Sequence, residues 1–346
     1  MAQMRQVFVI AEAGVNHNGR LDLALELVRV AARAGADAVK FQTFKADQLA
    51  AAGAKTVAYQ ARSGADDQHA MLKALELGEA EHERLVEETR AVGIEFMSTA
   101  FDLESARFLH KLGIKRVKVP SGEITNHPFL RELAGTGLPV LLSTGMADLD
   151  EVREAVAVVD EVQGKAAAHL PRAERLCVLH CTSAYPTPPE DANLSAIQTL
   201  ERELGVAVGF SDHTTGILLA PVAVALGARV IEKHFTLDRS MPGPDHAASL
   251  EPDELKSMVE AIRAVELAKG DGVKQPRPSE LEARQLVRRG LKAAADLPAD
   301  HVINAEDVLL LRPVTGIAPK ELSQAMGRRL KRSLRRGEAI EWADLS

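Results

Sequence analysis

The chain has 346 residues, of which 46% are hydrophobic and 26% charged, and its formal net charge is −7. This composition is typical of a globular protein with room for one large domain and a small one, and the negative balance argues against nucleic-acid binding, which needs a basic face. The first residues, MAQMRQVFVIAEAG, do not resemble a signal peptide, and no run of about 18 apolar residues occurs. We therefore expect a cytoplasmic protein without a membrane partner.

Short apolar runs alternate with helical segments from the N-terminus to about residue 236. The runs are 7–14, 38–43, 95–101, 116–122, 139–145, 176–183, 207–213 and 230–236. The segments between them carry apolar residues at helical spacing and end in glycines such as Gly35 and Gly113, as helix C-termini prefer. Eight such alternations, with no G-x-G-x-x-G turn, predict an α/β fold of the (β/α)₈ TIM-barrel type rather than a doubly wound sheet.

Polar residues end nearly every run, and in a barrel these strand ends face one common mouth. They are Glu12, Lys40, Gln42, Ser98, Thr99, Lys118, Ser121, Ser143, Thr182, Ser183, Ser211, His213, Glu232 and His234. Lys40 and Lys118 lie inside apolar runs, where inward lysines with hydroxyls around them favour the binding of phosphate and carboxylate. Schiff-base chemistry at one of these lysines and a structural role are the alternatives.

About 35 residues separate Thr43 from the helix near Glu79. A connection of this length in a compact domain is more often a lid or a dimer element than a loop without a function. Cys177 and Cys181 lie four positions apart in one extended run, hence about 13 Å from each other, too far for a disulfide. We interpret them as buried structural thiols.

His213 and His234 end consecutive predicted strands joined by one helix, so both should reach the same face of the barrel. Imidazole is a common metal ligand, and Glu12, Asp212 and Glu232 offer nearby oxygens. Two protein nitrogens with open positions suit Mn²⁺ or Mg²⁺, with Co²⁺ as a third candidate, better than a closed structural Zn²⁺ site.

Two loops extend this predicted mouth. Prolines stiffen segment 182–191, which carries Tyr185, one of two tyrosines in the chain. Segment 239–252 has turn chemistry and also carries Asp245 and His246. A carboxylate in this position can accept hydrogen bonds from sugar hydroxyls.

The chain changes character after residue 270. We expect a barrel domain over 1–270, a polar linker over 271–286 and a small domain over 287–346. Segments 297–308 and 334–345 align as a weak repeat in which Asp300 takes the turn position of Gly337. Since Asp tolerates positive φ better than most residues, the turn should survive.

Six of the nine residues from Arg328 to Arg336 are Lys or Arg. We interpret this run as a solvated face. An anion or nucleic-acid patch is the alternative, and it would bind with strong salt dependence.

Motifs in the barrel region resemble those of the sialic acid synthases, the phosphoenolpyruvate-dependent nonulosonate synthases. The motifs are AEAGVNHNG (11–19), KFQT (40–43), FMSTAF (96–101), KVPSGE (118–123), LSTGM (142–146), HCTSAYPTP (180–188), GFSDHT (209–214), IEKHFT (231–236) and PGPDH (242–246). The tail resembles the C-terminal antifreeze-like (SAF) domain of that family, a fold of β-clip type. The resemblance covers nearly the whole chain.

This resemblance implies condensation of phosphoenolpyruvate with the open-chain aldehyde of an N-acetylated amino sugar and water, giving a 2-keto acid and phosphate by C–O cleavage. It implies phosphoenolpyruvate contacts for Lys40, Thr99, Lys118, Ser121, Ser143, Ser183 and Ser211. It implies sugar contacts for Glu12, Tyr185, Glu232, Asp245 and Arg312, with Arg312 supplied by the partner chain of a domain-swapped homodimer. His213 and His234 would hold the metal, and Glu123 would handle the attacking water.

The resemblance puts N-acetylmannosamine, and hence N-acetylneuraminate synthesis, first. Ser183 stands where some N-acetylneuraminate-forming members carry Asn, so a legionaminic or pseudaminic acid synthase acting on a 2,4-diacetamido hexose is the alternative. More distant alternatives are a Schiff-base aldolase using Lys118 and a noncatalytic polysaccharide or spore-coat factor. The polar set at the strand ends argues against the last.

Overall fold

A computed structural model describes residues 6–49 and 67–346. The chain divides into two compact units, residues 1–270 and 271–346. Much of the long connection after Thr43, which we predicted to be a lid or dimer element, lies outside the described residues. Within the described residues, no helix is both long enough and apolar enough to cross a membrane.

Unit 1 is a closed barrel of parallel strands, which confirms the predicted fold class. The strands are β1 (Phe8–Gly14), β2 (Ala38–Thr43), β3 (Glu95–Ala100), β4 (Val117–Val119), β5 (Val140–Ser143), β6 (Leu176–His180), β7 (Ala207–Asp212) and β8 (Val230–His234). Each strand pairs with the next, and β1 closes on β8 with Glu12 opposite His234. The polar strand ends therefore meet around one rim.

Helices connect the strands and cover the barrel. They are α1 (Leu21–Arg33), α2 (Ala46–Leu49), α3 (Gln68–Leu75), α4 (Glu79–Val92), α5 (Leu103–Leu112), α6 (His127–Gly135), α7 (Leu149–Ala166), α8 (Arg172–Arg175), α9 (Ala196–Leu204), α10 (Leu219–Ala225) and α11 (Pro252–Lys269). Their ends follow local chemistry: the Asp148 side chain caps α7 by accepting from the amides of Asp150 and Glu151. Gly113 ends α5 at φ 88°, a conformation that glycine adopts without strain.

Two hydrophobic layers hold the strands. One layer packs the outer strand faces, with residues such as Val39, against the helices, and the other fills the barrel interior with residues such as Ile10, Met97 and Leu179. Because side chains alternate along a strand, Glu12 takes the inward position that follows Ile10 towards the mouth, and its side chain is buried. The barrel interior is thus apolar away from the mouth and charged at the mouth.

The two cysteines are free and buried, as predicted, but they do not share one strand. Cys177 packs inside the barrel with the apolar interior layer. Strand β6 ends at His180, so Cys181 lies in the loop that follows it.

Unit 2 begins with the segment that we predicted to be a linker. A short exposed helix, α12 (Leu281–Val287), forms there. Its sequence, LEARQLV, consists largely of strong helix formers, and our prediction gave too much weight to the prolines before it. The antiparallel strands β9 (Gly290–Ala293) and β10 (Val308–Leu311) and the helix α13 (Leu322–Ala325) follow.

The internal repeat of unit 2 is a structural repeat. Asp300 has φ 66° and Gly337 has φ 81°, so the predicted turn survives with aspartate. Leu297 and Leu334 pair with each other across the repeat. In both halves an aspartate, Asp307 or Asp344, closes a short turn by accepting from the main-chain N–H three residues earlier, at 2.9 and 3.0 Å.

Candidate active site

Four buried charges of alternating sign cross the barrel mouth. Lys40 Nζ lies 2.8 Å from Glu12 Oε2 and 3.6 Å from Glu232 Oε2. Lys118 Nζ lies 3.5 Å from Glu232 Oε1. All four side chains are at most 5% exposed. Because buried charges are expensive unless they are paired, these groups hold one another in place.

Hydroxyl groups from three further strands complete this cluster. Lys40 donates to Thr99 Oγ1 at 2.8 Å, and Lys118 donates to Ser143 Oγ at 2.8 Å. The Ser211 hydroxyl donates to Glu232 Oε1 at 2.9 Å. The structure therefore brings together the lysines and three of the hydroxyl residues that the sequence predicted for anion binding.

The cluster gives its two carboxyl groups different proton affinities. Burial raises the pKa of Glu12 to about 7, although Lys40 opposes the shift. Burial also acts to raise the pKa of Glu232, but Lys118 and Lys40 outweigh it and the pKa is lowered. Burial lowers the pKa of Lys118, and the attraction of Glu232 only partly offsets this. Near neutral pH, Glu12 is the carboxyl group of the cluster that can gain or lose a proton.

The two predicted metal ligands face each other, with ring centroids 5.6 Å apart. His213 Nδ1 lies 2.7 Å from the main-chain oxygen of Thr182. A carbonyl can only accept, so Nδ1 carries the proton and Nε2 presents a lone pair. Burial lowers the pKa of His213 to about 4 and that of His234 well below its usual value. Both rings are therefore neutral at physiological pH, as metal binding requires.

Tyr185 and Asp245 border the histidines. The Tyr185 ring lies 4.3 Å from the His213 ring and 5.6 Å from the His234 ring, centroid to centroid. Asp245 Oδ2 lies 3.6 Å from His234 Nδ1, and burial raises the pKa of Asp245 to about 6. The structure thus brings two of the five predicted sugar-contacting residues to the histidine pair.

A second group of small side chains surrounds Gly145, in the loop after β5. The Gly145 amide donates to Ser121 Oγ at 3.0 Å, and Ser121 Oγ lies 3.3 Å from Cys181 Sγ. A Cβ at position 145 would come within 2.2 Å of Ser183 Oγ and 2.9 Å of Ser121 Oγ. Only glycine leaves both hydroxyls in place. Our prediction named the serines and missed Gly145, although it stands in the LSTGM motif.

Three further predicted residues have the following local surroundings. Glu123 is half-buried in the turn after β4 and accepts from Asn126 Nδ2 at 2.6 Å. Arg312 is exposed in unit 2, directly after β10. His246 binds Thr236 Oγ1 at 2.7 Å and Asn18 Oδ1 at 3.1 Å.

Asp212 does not serve as an oxygen beside the histidines, and that expectation was wrong. Its carboxylate binds Thr214 and Lys233, because Asp212 alternates with Ser211 and His213 along the strand and points to the other face.

The donor set fits the predicted metal. His234 Nδ1 is buried and makes no hydrogen bond, and the His213 Nε2 lone pair lies 3.2 Å from Ser211 Oγ, whose proton goes to Glu232. In the described part of the chain, no cluster of three or more His, Cys, Asp or Glu side chains forms a metal site. Water and substrate would therefore supply the remaining ligands.

Comparison with known proteins gives consistent matches. The NeuB family matches residues 27–274, and the SAF domain matches residues 288–346. The N,N'-diacetyllegionaminic acid synthase of Legionella pneumophila is 51% identical over 337 residues, which cover 97% of this chain and 93% of that protein. The synthase of the same name from Campylobacter jejuni is 43% identical over 339 residues, covering 97% and 99%. A crystal structure of N-acetylneuraminic acid (sialic acid) synthetase from Leptospira borgpetersenii in complex with citrate has TM-score 0.70 and 35% identity, covering 81% of this chain and 90% of that one.

Proposed function

Because the chain belongs to the NeuB family, whose members are enzymes that condense phosphoenolpyruvate with acetylated amino sugars, we propose that it is an N,N'-diacetyllegionaminic acid synthase. Its sugar substrate would be the open-chain form of a 2,4-diacetamido hexose. The observation that carries this choice is the 51% identity to a synthase of that name over 97% of the chain. The sequence analysis put N-acetylmannosamine first, but the sialic acid synthetase shares less identity, so the alternative substrate is the better supported.

Phosphoenolpyruvate would bind at the four-charge cluster. Its carboxylate and phosphate need cations in a site that water cannot screen, and Lys40 and Lys118 are both nearly fully buried. In the free enzyme Glu12 and Glu232 neutralise these lysines. A proton taken up by Glu12, with its pKa of about 7, would leave Lys40 available for the substrate.

Small hydroxyl groups would orient the substrate around these lysines. Thr99, Ser143 and Ser211 already hydrogen-bond to the charged cluster. Ser121 and Ser183 flank Gly145, where close packing leaves space for oxygen atoms but not for a larger side chain. Fixed dipoles of this kind stabilise charge without having to reorganise during the reaction.

His213 and His234 would hold Mn²⁺, Mg²⁺ or Co²⁺ next to the sugar aldehyde. When bound, such an ion supplies Lewis-acid polarisation of the aldehyde oxygen. Tyr185 borders both rings and Asp245 borders His234, and they would orient the sugar hydroxyls together with Glu232.

The proposed reaction forms one C–C bond and one bond from C2 to a water oxygen, and it breaks the bond from C2 to the phosphate oxygen. C3 of phosphoenolpyruvate attacks the aldehyde carbon, and the resulting alkoxide takes a proton, for which Glu12 is the candidate donor. Water adds to the cationic C2 and gives its proton to Glu123, the residue that we propose as general base. Cleavage of the bond from C2 to the phosphate oxygen, with transfer of the C2 hydroxyl proton to the departing phosphate, then leaves the 2-keto acid.

Arg312 would complete the sugar site from the partner subunit of a domain-swapped homodimer. We therefore expect the inactive variants His213→Ala and Arg312→Ala to complement each other. In a mixed dimer, one barrel has its histidines and receives Arg312 from the other chain. After subunit exchange, about a quarter of wild-type activity should return. No recovery, with exchange verified by native mass spectrometry, would contradict the swapped arrangement.

The function is tested by phosphate release from phosphoenolpyruvate with Mn²⁺ and separate sugars. The panel is N-acetylmannosamine, its 6-phosphate, the manno-configured 2,4-diacetamido-2,4,6-trideoxyhexose and the altro-configured isomer. We expect the highest kcat/KM with the manno-configured diacetamido sugar. A preference for the altro isomer would instead indicate pseudaminic acid synthesis. No release with any sugar would contradict the enzyme assignment, and a borohydride-trapped pyruvate adduct on Lys118 would favour the aldolase alternative.

A further inference from the structure

We propose that a buried ion pair between Asp212 and Lys233 positions His213 relative to His234 and so sets the metal affinity of the site. The two charged residues are register partners on β7 and β8, and each directly precedes one of the histidines. Because side chains alternate along a strand, the pair lies on the outer face of the barrel wall while both histidines face the interior. The inference rests on the metal role proposed above.

The pair joins the ends of the two strands that carry the histidines. Lys233 Nζ lies 2.9 Å from Asp212 Oδ2, and the two side chains are 1% and 0% exposed. Lys233 also donates to the main-chain oxygen of Thr214. Asp212 Oδ1 accepts from the amide of Thr214 at 2.9 Å and from its hydroxyl at 2.7 Å. The ion pair therefore fixes both main-chain polar groups of the residue that follows His213.

The loop after β6 also positions His213, through hydrogen bonds to its main chain and to its ring. The Thr187 amide donates to the main-chain oxygen of His213 at 2.8 Å, and Thr187 and Thr214 form a bridge between the two loops. The Thr187 hydroxyl lies 3.2 Å from the main-chain oxygen of Thr182. That same oxygen accepts from His213 Nδ1. A shift of Thr214 would therefore move both the His213 main chain and the acceptor that orients its ring.

Stability alone does not explain a fully buried ion pair at this point. Replacing such a pair with apolar residues is often neutral or stabilising, because the desolvation of two charges offsets their attraction. Directional hydrogen bonds to the Thr214 main chain are something that apolar side chains cannot provide. Outer contacts of this kind typically change metal affinity by about 10- to 100-fold when they are removed.

The test measures Mn²⁺ binding in the absence of any substrate. The concentration of free Mn²⁺ is read from its electron paramagnetic resonance signal. The main variant is the double substitution Asp212→Asn with Lys233→Met, which leaves no unpaired buried charge and should therefore fold. Its amide can still accept from Thr214, but the link to β8 is lost. We expect the Mn²⁺ dissociation constant to rise about 10-fold or more, and the visible spectrum of bound Co²⁺ to change.

The matched control is the double substitution Glu95→Gln with Arg116→Met. This pair joins the starts of β3 and β4, with Arg116 Nε 2.7 Å from Glu95 Oε1, at the opposite end of the barrel. We expect it to leave the Mn²⁺ dissociation constant within about two-fold of wild type. Urea unfolding of both variants verifies that they are folded.

Three results would overturn the inference. If the wild type binds Mn²⁺ and the Asp212/Lys233 variant binds it within about two-fold, the positioning role is wrong while the metal assignment stands. If the Glu95/Arg116 control loses as much affinity, the effect is general to the barrel. If the wild type binds no Mn²⁺, the metal assignment and this inference both fail, whatever the sugar panel shows.

Discussion

The two ends of the barrel use charged side chains in opposite ways. At the amino ends of the strands, arginines pair with partly exposed carboxylates. Arg116 pairs with Glu95, and Arg263 pairs with Asp37 and Glu266, with side-chain exposures between 10% and 29%. At the carboxyl ends, the charged groups are at most 5% exposed and share partners, since Glu232 lies between two lysines.

This difference separates partly exposed charges that join strands from the buried charges that we propose bind phosphoenolpyruvate. Asp37 also accepts from the main-chain amide of Val9 at 2.7 Å, so it joins neighbouring strands and is partly solvated. The mouth instead gathers two buried lysines, one of which has its pKa lowered by burial. Because burial shifts the pKa values of Glu12 and Lys118 towards their neutral forms, an incoming anion can stabilise the charged form of the lysine, and burial at the mouth is therefore a functional signal.

The greatest loss of activity is expected at the two histidines that we propose as metal ligands. His234→Ala should lower kcat about 10³-fold, because electrophilic stabilisation by a metal is worth several kcal/mol. Stability should be nearly unchanged, since His234 Nδ1 makes no hydrogen bond in the free protein. Steady-state kinetics and urea unfolding measure the two quantities. A variant that keeps full activity in metal-free buffer would contradict the metal role.

The two ends can be compared directly with the matched substitutions Lys118→Met and Arg116→Met. Loss of Lys118 should lower kcat/KM for phosphoenolpyruvate about 10²- to 10³-fold, as expected for a preorganised charge, without lowering stability. Loss of Arg116 should cost about 1 kcal/mol of stability and leave the kinetics unchanged. Kinetics and denaturation of both proteins check this. The comparison fails if the two variants show the same changes in kcat/KM and in stability.

A smaller effect is expected for Gly145→Ala. The added methyl group would displace the hydroxyls of Ser183 and Ser121 and should raise the KM for phosphoenolpyruvate about 10-fold, with a smaller change in kcat. Gly122→Ala is the matched control, because no atom lies within 4 Å of a Cβ built at that position. Equal KM values for the two variants would show that Gly145 does not shape the phosphoenolpyruvate site.

The last expected effect concerns the pH dependence of stability. The pKa of Glu12 is raised from 4.5 to about 7 in the folded protein. Between these values the folded state binds more protons than the unfolded state, so the contribution of Glu12 to stability falls as pH rises. Glu12→Gln should therefore lose less stability than wild type between about pH 5 and pH 8, measured by urea unfolding. Identical losses would show that Glu12 has an ordinary pKa.

Strand alternation explains how much of the site the sequence could predict. Polar residues at inward positions of apolar runs identified Lys40, Lys118 and both histidines, and the structure brings them together. The same rule would have predicted that the Asp212 side chain points to the outer face of the barrel. The position of Glu232 between two lysines could not be predicted, because it depends on how strands distant in sequence close into a barrel.

The proposed function is the synthesis of N,N'-diacetyllegionaminic acid. The most direct test offers limiting phosphoenolpyruvate to an equimolar mixture of N-acetylmannosamine and the manno-configured 2,4-diacetamido-2,4,6-trideoxyhexose. The ratio of products by mass spectrometry then equals the ratio of the two kcat/KM values. The account predicts at least about a 10-fold excess of the diacetamido product. An excess of N-acetylneuraminate would contradict it.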